Sequence, residues 1–203
     1  MWGTPQLAVR WGVLRLVRPG PDRVVRFLAA QRTLALTYDG VGSTEGGVPP
    51  AGFDHDHNRQ LLGHGAQTFE HAKAALRGWR MFPAPWTAIE PDTTPITKDE
   101  VVAVHVRILG LWWSNAARIV YTIDLPRRFG FAYGTLPAHA ERGEERFSVE
   151  WLPDDTVWYD LRAFSQPRHL LARLAFPLTR AYQRRFARAS KAAMERAVRP
   201  GGY

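Results

Sequence analysis

Side chains capable of proton transfer are concentrated in one stretch of the chain, YGTLPAHAERGEERF (133–147). Tyr133, His139, Glu144 and Arg146 would supply an acid, a base and an anion clamp. Alternation along a strand would place Glu144 and Arg146 on one face and Glu145 on the other. If the former pair faced a cavity, burial would raise the glutamate pKa toward neutrality, the range for general acid–base catalysis. We favour the alternative, in which these charges pair across a β-hairpin and hold its register.

A second polar stretch, GFDHDHNRQLLGHG (52–65), contains three histidines and two aspartates. His55 and His57 are two positions apart and His64 follows seven later, whereas the helical zinc motif has histidines at i and i+4. An extended backbone would still put His55 and His57 on one side. We favour a polar surface loop over a metal site, and we predict no bound metal.

Several other kinds of chemistry lack the residues that they require. The chain has no cysteine, which excludes disulfides, thiolate zinc sites and thiol nucleophiles. Ser114 and Ser165 are outside any G-x-S-x-G elbow, and neither a P-loop nor a G-x-G-x-x-G turn is found. We therefore predict no cofactor.

The elements that position these residues begin with helices and loops. At 203 residues, one domain is the expected organisation. We treat residues 1–36 as an N-terminal basic segment with a short helix over 22–31, and residues 37–203 as a single α+β domain. The Gly- and Pro-rich stretch 37–53 is predicted to be an irregular connector. Apolar positions at three- and four-residue spacing predict a helix over 66–78.

The centre of the chain changes to a two-residue period. Alternating residues predict a strand over 102–109, and further strands are predicted at 118–124, 128–135, 144–151 and 156–164. The short links between them favour an antiparallel meander. Asp160 and Arg162 share one strand face, where they would pair with the hairpin charges, in either a pocket floor or an outer-face network.

The end of the chain is predicted to be helical. Pro167 and Pro177 delimit a first segment that contains Leu170, Leu171 and Leu174, and a longer amphipathic helix runs to about Val198. From residue 162 onward there are ten Lys or Arg and one acid, a balance of +9, whereas the formal net charge of the whole chain is +8. We favour a solvated helix face, with contact to an anionic partner as the alternative. The basic surface comprises Arg180, Arg184, Arg185, Arg188 and Lys191.

An antiparallel sheet followed by a long amphipathic helix predicts an α+β fold in which the sheet curves around the C-terminal helix, the helix-grip arrangement. The gap between sheet and helix would form an apolar pocket. Aromatic side chains would line it. The candidates for ligand contact are Trp112, Trp113, Phe131, Tyr133, Trp158, Tyr182 and Phe186.

Five stretches resemble uncharacterised protein family 0548, a family without an assigned reaction found in bacteria and plants. They are TYDGVGST (37–44), LLGHG (61–65), GLWWSNAARIVY (110–121), RRFGFAYGTLPAHAERGEERFSVE (127–150) and the region from VWYDLRAF (157–164) to residue 194. The resemblance covers roughly residues 37–198. The layout is also similar to START-like helix-grip proteins, which implies an apolar ligand or, in some members, cyclisation or hydrolysis.

Three functions follow as hypotheses. The first is a module that binds an apolar or amphipathic small molecule in the cavity, and the second is a hydrolase- or cyclase-type enzyme using the same cavity. The third is a peripheral contact through the basic helix, for which we expect a weak anionic membrane contact rather than nucleic acid. We expect binding without catalysis. Arginines interrupt the apolar residues of the first twenty positions and of 101–123, so we expect neither an export signal nor a transmembrane helix, and a cytoplasmic location.

Overall fold

The computed structural model describes residues 13–82, 85–168 and 176–199. The strands are β1 (Val13–Arg15), β2 (Asp54–His64), β3 (Thr87–Glu90), β4 (Val101–Ile108), β5 (Leu111–Leu125), β6 (Arg128–Thr135), β7 (Glu141–Trp151) and β8 (Thr156–Pro167). The helices are α1 (Pro21–Gln31), α2 (Gly65–Arg77) and α3 (Phe176–Val198). The predicted helical segment between Pro167 and Pro177, with its three leucines, falls mainly on residues 169–175, outside the described residues.

The eight strands form one antiparallel sheet in the order β2-β8-β7-β6-β5-β4-β3, with β1 paired to β5. Strands β3 to β8 follow one another as a meander, so the predicted antiparallel connectivity is confirmed. The sheet is larger than the predicted four or five strands because β1, β2 and β3 add to it. With α3 across its concave face, this is the helix-grip fold that the sequence predicts.

The histidine-rich stretch is an edge strand, so the predicted surface loop is wrong. β2 pairs antiparallel with β8, placing His57 opposite Arg162. Its residues alternate between partly buried and exposed positions. The alternation is hard to read from the sequence because both faces of β2 carry polar side chains, so the usual contrast between apolar and polar positions is missing.

The fourth and fifth strands are joined by a two-residue turn. Leu109 and Gly110 have φ angles of 49° and 82°, both in the left-handed region that such tight hairpins use. β5 therefore begins at Leu111, seven residues before the predicted strand at 118. This extension brings Trp113 and Asn115 into the sheet.

The core lies between the concave face of the sheet and the two helices α2 and α3. Phe69 and Leu76 of α2 and Met194 of α3 pack against the buried side chains of Phe147 and Tyr159. A hydrogen bond of 2.8 Å between Tyr159 Oη and Ser190 Oγ fixes α3 to β8. The predicted helix over 66–78 is confirmed, with Gly78 as its C-terminal cap.

The two helices differ in length, and this leaves part of the concave face uncovered. At 1.5 Å per residue, the 13 residues of α2 span about 20 Å and the 23 residues of α3 about 35 Å. The C-terminal half of α3 packs beside α2, whereas its N-terminal half extends past the end of α2. Beneath that half, none of the residues that the structure describes forms a second helix against the sheet.

The opposite face of the sheet is covered by α1 and by the connector, residues 37–53. Val24 and Leu28 of α1 are buried with Val101, Ala103 and Leu136 of the sheet and its loops. The predicted N-terminal segment therefore includes β1 and α1, and residues 1–12 are outside the described residues. The connector is irregular, as predicted, apart from one 3-10 turn at Ser43–Glu45.

Gly134 on β6 allows the connector to approach the sheet. A Cβ atom at this position would lie 2.8 Å from Cε1 of the Tyr38 ring. We expect Gly134→Ala to lower the free energy of unfolding by about 1–3 kcal/mol, the usual cost of overpacking. Urea denaturation would measure it. In a Tyr38→Ala background the same substitution should cost less than about 0.5 kcal/mol, and equal costs in the two backgrounds would contradict the contact.

Candidate functional site

A cavity of about 790 Å³ lies between the sheet and the N-terminal half of α3. α2, described throughout, contributes no residue to its wall. One end of the cavity is aromatic and aliphatic, and the other carries carboxylates and amides. The apolar wall includes Phe82, Trp86, Val104, Val106, Ile108, Trp113, Tyr182 and Phe186. The polar wall includes Asp56, Asn115, His139, Glu141, Glu145, Ser165 and Gln183.

Four of the seven residues predicted to contact a ligand line this cavity, namely Trp113, Tyr133, Tyr182 and Phe186. The other three do not. Phe131 is fully buried in the core, 4.9 Å from the ring of Trp79. Trp112 is adjacent to Trp113 in β5 and so points to the opposite face.

Trp158 likewise lies on the opposite face, where the Arg59 guanidinium is 4.8 Å from its ring centroid. Sequence reasoning missed Phe82 and Trp86 as wall residues. They are in the aromatic segment around two prolines, where no periodicity indicates a facing direction. Within the structure the rings of Phe82 and Phe186 lie 5.5 Å apart and form part of the cavity wall.

Glu145 is the acid on the cavity side of β7. Tyr133 Oη donates a 2.5 Å hydrogen bond to Glu145 Oε2. Burial raises the pKa of Glu145 to about 7, the Tyr133 hydrogen bond lowers it, and the charges of Glu141 and Asp56 raise it further. The pKa of Tyr133 is also raised, mainly by burial, so the tyrosine stays protonated. The pair therefore combines a neutral hydrogen-bond donor with a carboxyl group that titrates near neutral pH.

A hydrogen-bonded network joins α3 to three strands at the polar end. Gln183 Nε2 donates to Glu141 Oε1 at 2.7 Å and to Ser165 Oγ at 3.0 Å. Arg180 donates to both carboxylate oxygens of Asp56, at 2.5 and 2.9 Å, and to Gln183 Oε1 at 2.7 Å. Burial raises the pKa of Glu141, against the opposing influence of Gln183 and Arg180. The network fixes the position of Glu141.

His139 lines the cavity from the loop between β6 and β7. Its Nδ1 accepts a hydrogen bond of 3.0 Å from the backbone N–H of Glu141. Burial is the main cause that lowers the pKa of His139 to about 4, and the charge of Arg168 acts in the same direction. The imidazole is therefore neutral at physiological pH, and its Nδ1 lies 3.1 Å from the carbonyl oxygen of Glu141.

Glu144 has a structural role, as in the favoured sequence interpretation, but its partner is the connector rather than a charge across the hairpin. Its carboxylate lies on the face away from α3 and accepts hydrogen bonds from the connector, from Tyr38 Oη at 2.8 Å, Gly42 N–H at 2.7 Å and Thr44 N–H at 3.0 Å. The Thr44 hydroxyl is a fourth donor. Glu144 therefore holds the connector against the sheet.

Arg146 is also on the outer face, where it pairs with Asp160. Arg146 Nη2 lies 2.5 Å from Asp160 Oδ1, and Arg146 Nη1 donates to Thr44 O at 2.8 Å. His57 and Arg59 also contact Asp160, at 2.7 and 3.2 Å. Burial acts to raise the pKa of Asp160, but hydrogen bonds from His57 and Arg146 outweigh it, so the pKa is lowered. Of the two arrangements predicted for Asp160, the structure has the outer-face network.

The alternation of β7 contains the signal that distinguishes Glu144 from Glu145. Phe147 and Val149 share a face with Glu145, and both are fully buried in the core. Arg146 shares a face with Glu144. The predicted split of the two glutamates between opposite faces is confirmed, whereas the alternative in which Glu144 and Arg146 face a cavity is wrong, because the face shared with the buried Phe147 and Val149 belongs to Glu145.

The predicted candidates for metal binding are dispersed. His55 and His57 are on the outer face of β2, and His57 binds Asp160. His64 is exposed at the end of β2. Over the described ranges, no group of three His, Asp or Glu side chains is arranged to hold a metal ion.

The predicted basic surface on α3 is only partly free. Arg180 faces Asp56, and Arg185 lies 4.4 Å from the ring centroid of Trp86. Arg184, Arg185 and Arg188 are exposed, and Lys191 is half-buried. Of the helices in the described part of the chain, none is long and apolar enough to cross a membrane.

Comparison with known sequences gives a family but no reaction. A family profile described as "Domain of unknown function (DUF1990)" matches residues 37–193. A UPF0548 protein of Deinococcus radiodurans is 38% identical over 182 residues, which cover 84% of this chain and 91% of the relative.

Comparison with solved structures supports the fold. A hypothetical protein of Helicobacter pylori, jhp0584, superimposes with a TM-score of 0.58 at 13% identity, covering 81% of this chain and 99% of that one. The Zhui aromatase/cyclase from Streptomyces sp. R1128 gives a TM-score of 0.51 at 16% identity, covering 74% and 98%. At these identities the likeness concerns the fold alone.

The two adjacent glutamates of β7 should respond oppositely to the same substitution. The pKa of Glu145 rises from an ordinary 4.5 to about 7, so its ionisation destabilises the fold above pH 7, and this penalty is absent below pH 4.5. Glu145→Gln removes the charge and keeps an acceptor for Tyr133. We expect it to increase the free energy of unfolding by roughly 2 kcal/mol near pH 8 and by almost nothing near pH 4, measured by urea denaturation.

Glu144→Gln is the matched control. Its amide nitrogen would face backbone and hydroxyl donors, so we expect the free energy of unfolding to fall by about 1–3 kcal/mol near pH 8. Stabilisation by both substitutions, or by neither, would contradict the assignment of the two residues to opposite faces.

Proposed function

The chain belongs to the UPF0548 family and contains a DUF1990 domain, and we propose that it binds an apolar or amphipathic small molecule in the cavity between the sheet and α3. The observation that carries this proposal is the cavity itself. Its volume of about 790 Å³ is within the usual range for small-molecule sites. Its wall combines a continuous aromatic and aliphatic surface with a few polar groups at one end, the usual composition of a ligand pocket.

The wall residues gain contacts when a ligand enters. Protein interiors are packed at a density near that of organic crystals, and side chains that border an unfilled space lose dispersion contacts on that side. Trp86, Trp113, Tyr182 and Phe186 present large apolar areas to the cavity. An apolar ligand body would remove these areas from water, which is favourable by about 25 cal/mol per Å².

Catalysis in the same cavity is the second candidate, and the Tyr133–Glu145 pair favours it. A carboxyl group with a pKa of about 7 beside a neutral phenol suits proton transfer at physiological pH. Glu144 and Arg146, proposed from the sequence as catalytic, are directed at the connector and at Asp160, so in this candidate Glu145 would take the acid–base role. The likeness to an aromatase/cyclase is compatible with a cyclase-type reaction. Binding is the simpler proposal because the cavity supports it without a reacting group.

Contact of the exposed α3 arginines with an anionic membrane surface remains a separate proposal, as does a cytoplasmic location. Arg184, Arg185 and Arg188 support the membrane contact. Its electrostatic origin distinguishes it from uptake into the cavity.

A neutral apolar fluorophore such as Nile red tests the proposed binding. Ala163 lines the cavity from β8, so Ala163→Trp would place an indole inside it. We expect saturable fluorescence enhancement with the wild type and an affinity at least about fivefold weaker with Ala163→Trp, because the ligand loses volume and apolar contact. Ala181→Trp, on the exposed side of α3, is the control and should bind as the wild type does. Equal affinity in all three proteins would reject the cavity as the site.

Salt separates cavity binding from membrane contact. Screening weakens an attraction between exposed arginines and anionic lipid, so sedimentation with anionic vesicles should fall by about tenfold or more from low to high salt. Nile red affinity should change by less than about twofold, since burial of apolar surface does not depend on charge. Absence of vesicle binding at low salt would exclude the membrane contact.

A further inference from the structure

The polar end of the cavity has more negative than positive charge. Asp56, Glu141 and Glu145 all line it. Arg180 is the cation that acts there, and both of its terminal nitrogens are already engaged with Asp56. The charges that act on Glu145 are those of Glu141 and Asp56, both negative.

Each of the two glutamates has one carboxylate oxygen to which the described residues donate no hydrogen bond. Tyr133 occupies Glu145 Oε2, and Gln183 occupies Glu141 Oε1. The neighbouring amide donors are already engaged. Gln183 Nε2 donates to Glu141 and Ser165, and Asn115 Nδ2 donates to Val104 O at 3.3 Å. Among the described residues the cavity therefore has spare acceptors at this end, which suit hydrogen-bond donors on a ligand.

The exposed arginines of α3 do not supply this missing charge. Arg184 and Arg188 border the cavity but are exposed on the helix surface, and neither forms an ion pair within 4.0 Å of Glu141 or Glu145. His139 is neutral, because burial lowers its pKa to about 4. Ionised carboxylates in such a site are stabilised most by a cation that also donates hydrogen bonds.

We infer that the ligand is an amphipathic organic cation, with an apolar ring system against the aromatic end of the cavity and a protonated nitrogen at Glu145, where the charge of Glu141 adds to the attraction. This inference rests on the proposed ligand binding and specifies its chemistry. A protonated amine carries up to three donors, enough for the free carboxylate oxygen of Glu145. A carboxylate on the same ring system would be repelled, and an alcohol would leave the negative charge unbalanced.

Three probes with one ring system test the inference, namely 2-(2-naphthyl)ethylamine, 2-(2-naphthyl)ethanol and 2-naphthylacetate, titrated by calorimetry near pH 8. We expect the amine to bind at least about tenfold more tightly than the alcohol, as a charge-assisted hydrogen bond allows, and the carboxylate to bind most weakly. Glu145→Gln should abolish the preference for the amine and leave the affinity for the alcohol within about twofold.

Glu150→Gln is the matched control, because it removes the same charge from the same strand. Glu150 lies on the opposite face, within 3.1 Å of Arg128 Nε, and the amine preference should persist in this variant. Loss of the preference in Glu150→Gln as well would assign it to overall charge and overturn the inference.

A pH series on the wild type tests the same point without any substitution. Lowering the pH from about 8 to about 6 protonates the carboxyl group of Glu145, so the amine should bind about tenfold more weakly while the alcohol is unaffected. The other groups that act on Glu145 are Tyr133 on β6, Tyr159 on β8, Glu141 on β7 and Asp56 on β2, with Arg180 on α3 nearby. Both tyrosine pKa values are raised and the arginine remains charged, so only the carboxylates change over this range.

The outcomes distinguish this inference from the proposed function. Equal affinities for amine and alcohol in the wild type, both reduced by Ala163→Trp, would overturn the preference for a cation and leave cavity binding intact. Tighter binding of the carboxylate would overturn it in the same way. No binding of the three probes or of Nile red would overturn both proposals.

Discussion

One helix, α3, spans the half of the concave sheet that α2 does not reach, and the cavity follows from this arrangement. The side chains of α3 extend toward the sheet from the helix surface, and the sheet curves away beneath the helix. Where α2 is also present, Phe69, Leu76 and Met194 close the space completely. Beyond the end of α2, the rings of Phe82 and Phe186 form its boundary, and the cavity begins there. The difference of about 15 Å between the helix lengths accounts for its position.

The opposite face of the sheet explains why β7 tolerates two adjacent glutamates with different environments. A strand has side chains on alternate faces, so Glu144 and Glu145 cannot share one. On the outer face the connector supplies backbone and hydroxyl donors to Glu144, and Gly134 lets the Tyr38 ring approach. On the inner face, the donor to Glu145 among the described residues is Tyr133, and the carboxyl group borders the cavity. The first arrangement stabilises the fold, whereas the second costs stability, as buried charges at functional sites often do.

Much of the fold could be predicted from the sequence because its strongest signals are local. The apolar stripe of α3 and the alternation from residue 102 onward gave the elements, and short links gave the meander. The edge strand β2 was missed since both of its faces are polar. The hydrogen bonds from the connector to Glu144 could not be predicted. They join residues about 100 positions apart and use backbone donors that any sequence has. The orientation of Glu145 was accessible from Phe147 and Val149, two and four positions away on the same face.

The charge on the outside of the molecule and the charge inside the cavity have opposite signs. The surface and the cavity therefore attract ligands of opposite charge. The chain has a formal net charge of +8, with exposed arginines along α3. At physiological ionic strength such charges act over roughly 8 Å in solvent, so they favour anions at the surface and only weakly oppose the approach of a cation. Within the cavity screening is weaker, and the carboxylates of Glu141 and Glu145 dominate. An anionic amphiphile would therefore be held outside on α3, whereas a cationic one gains its interaction only after it enters. This selectivity arises because the exposed arginines lie on the solvent side of α3, whereas the carboxylates lie in the cavity beneath it.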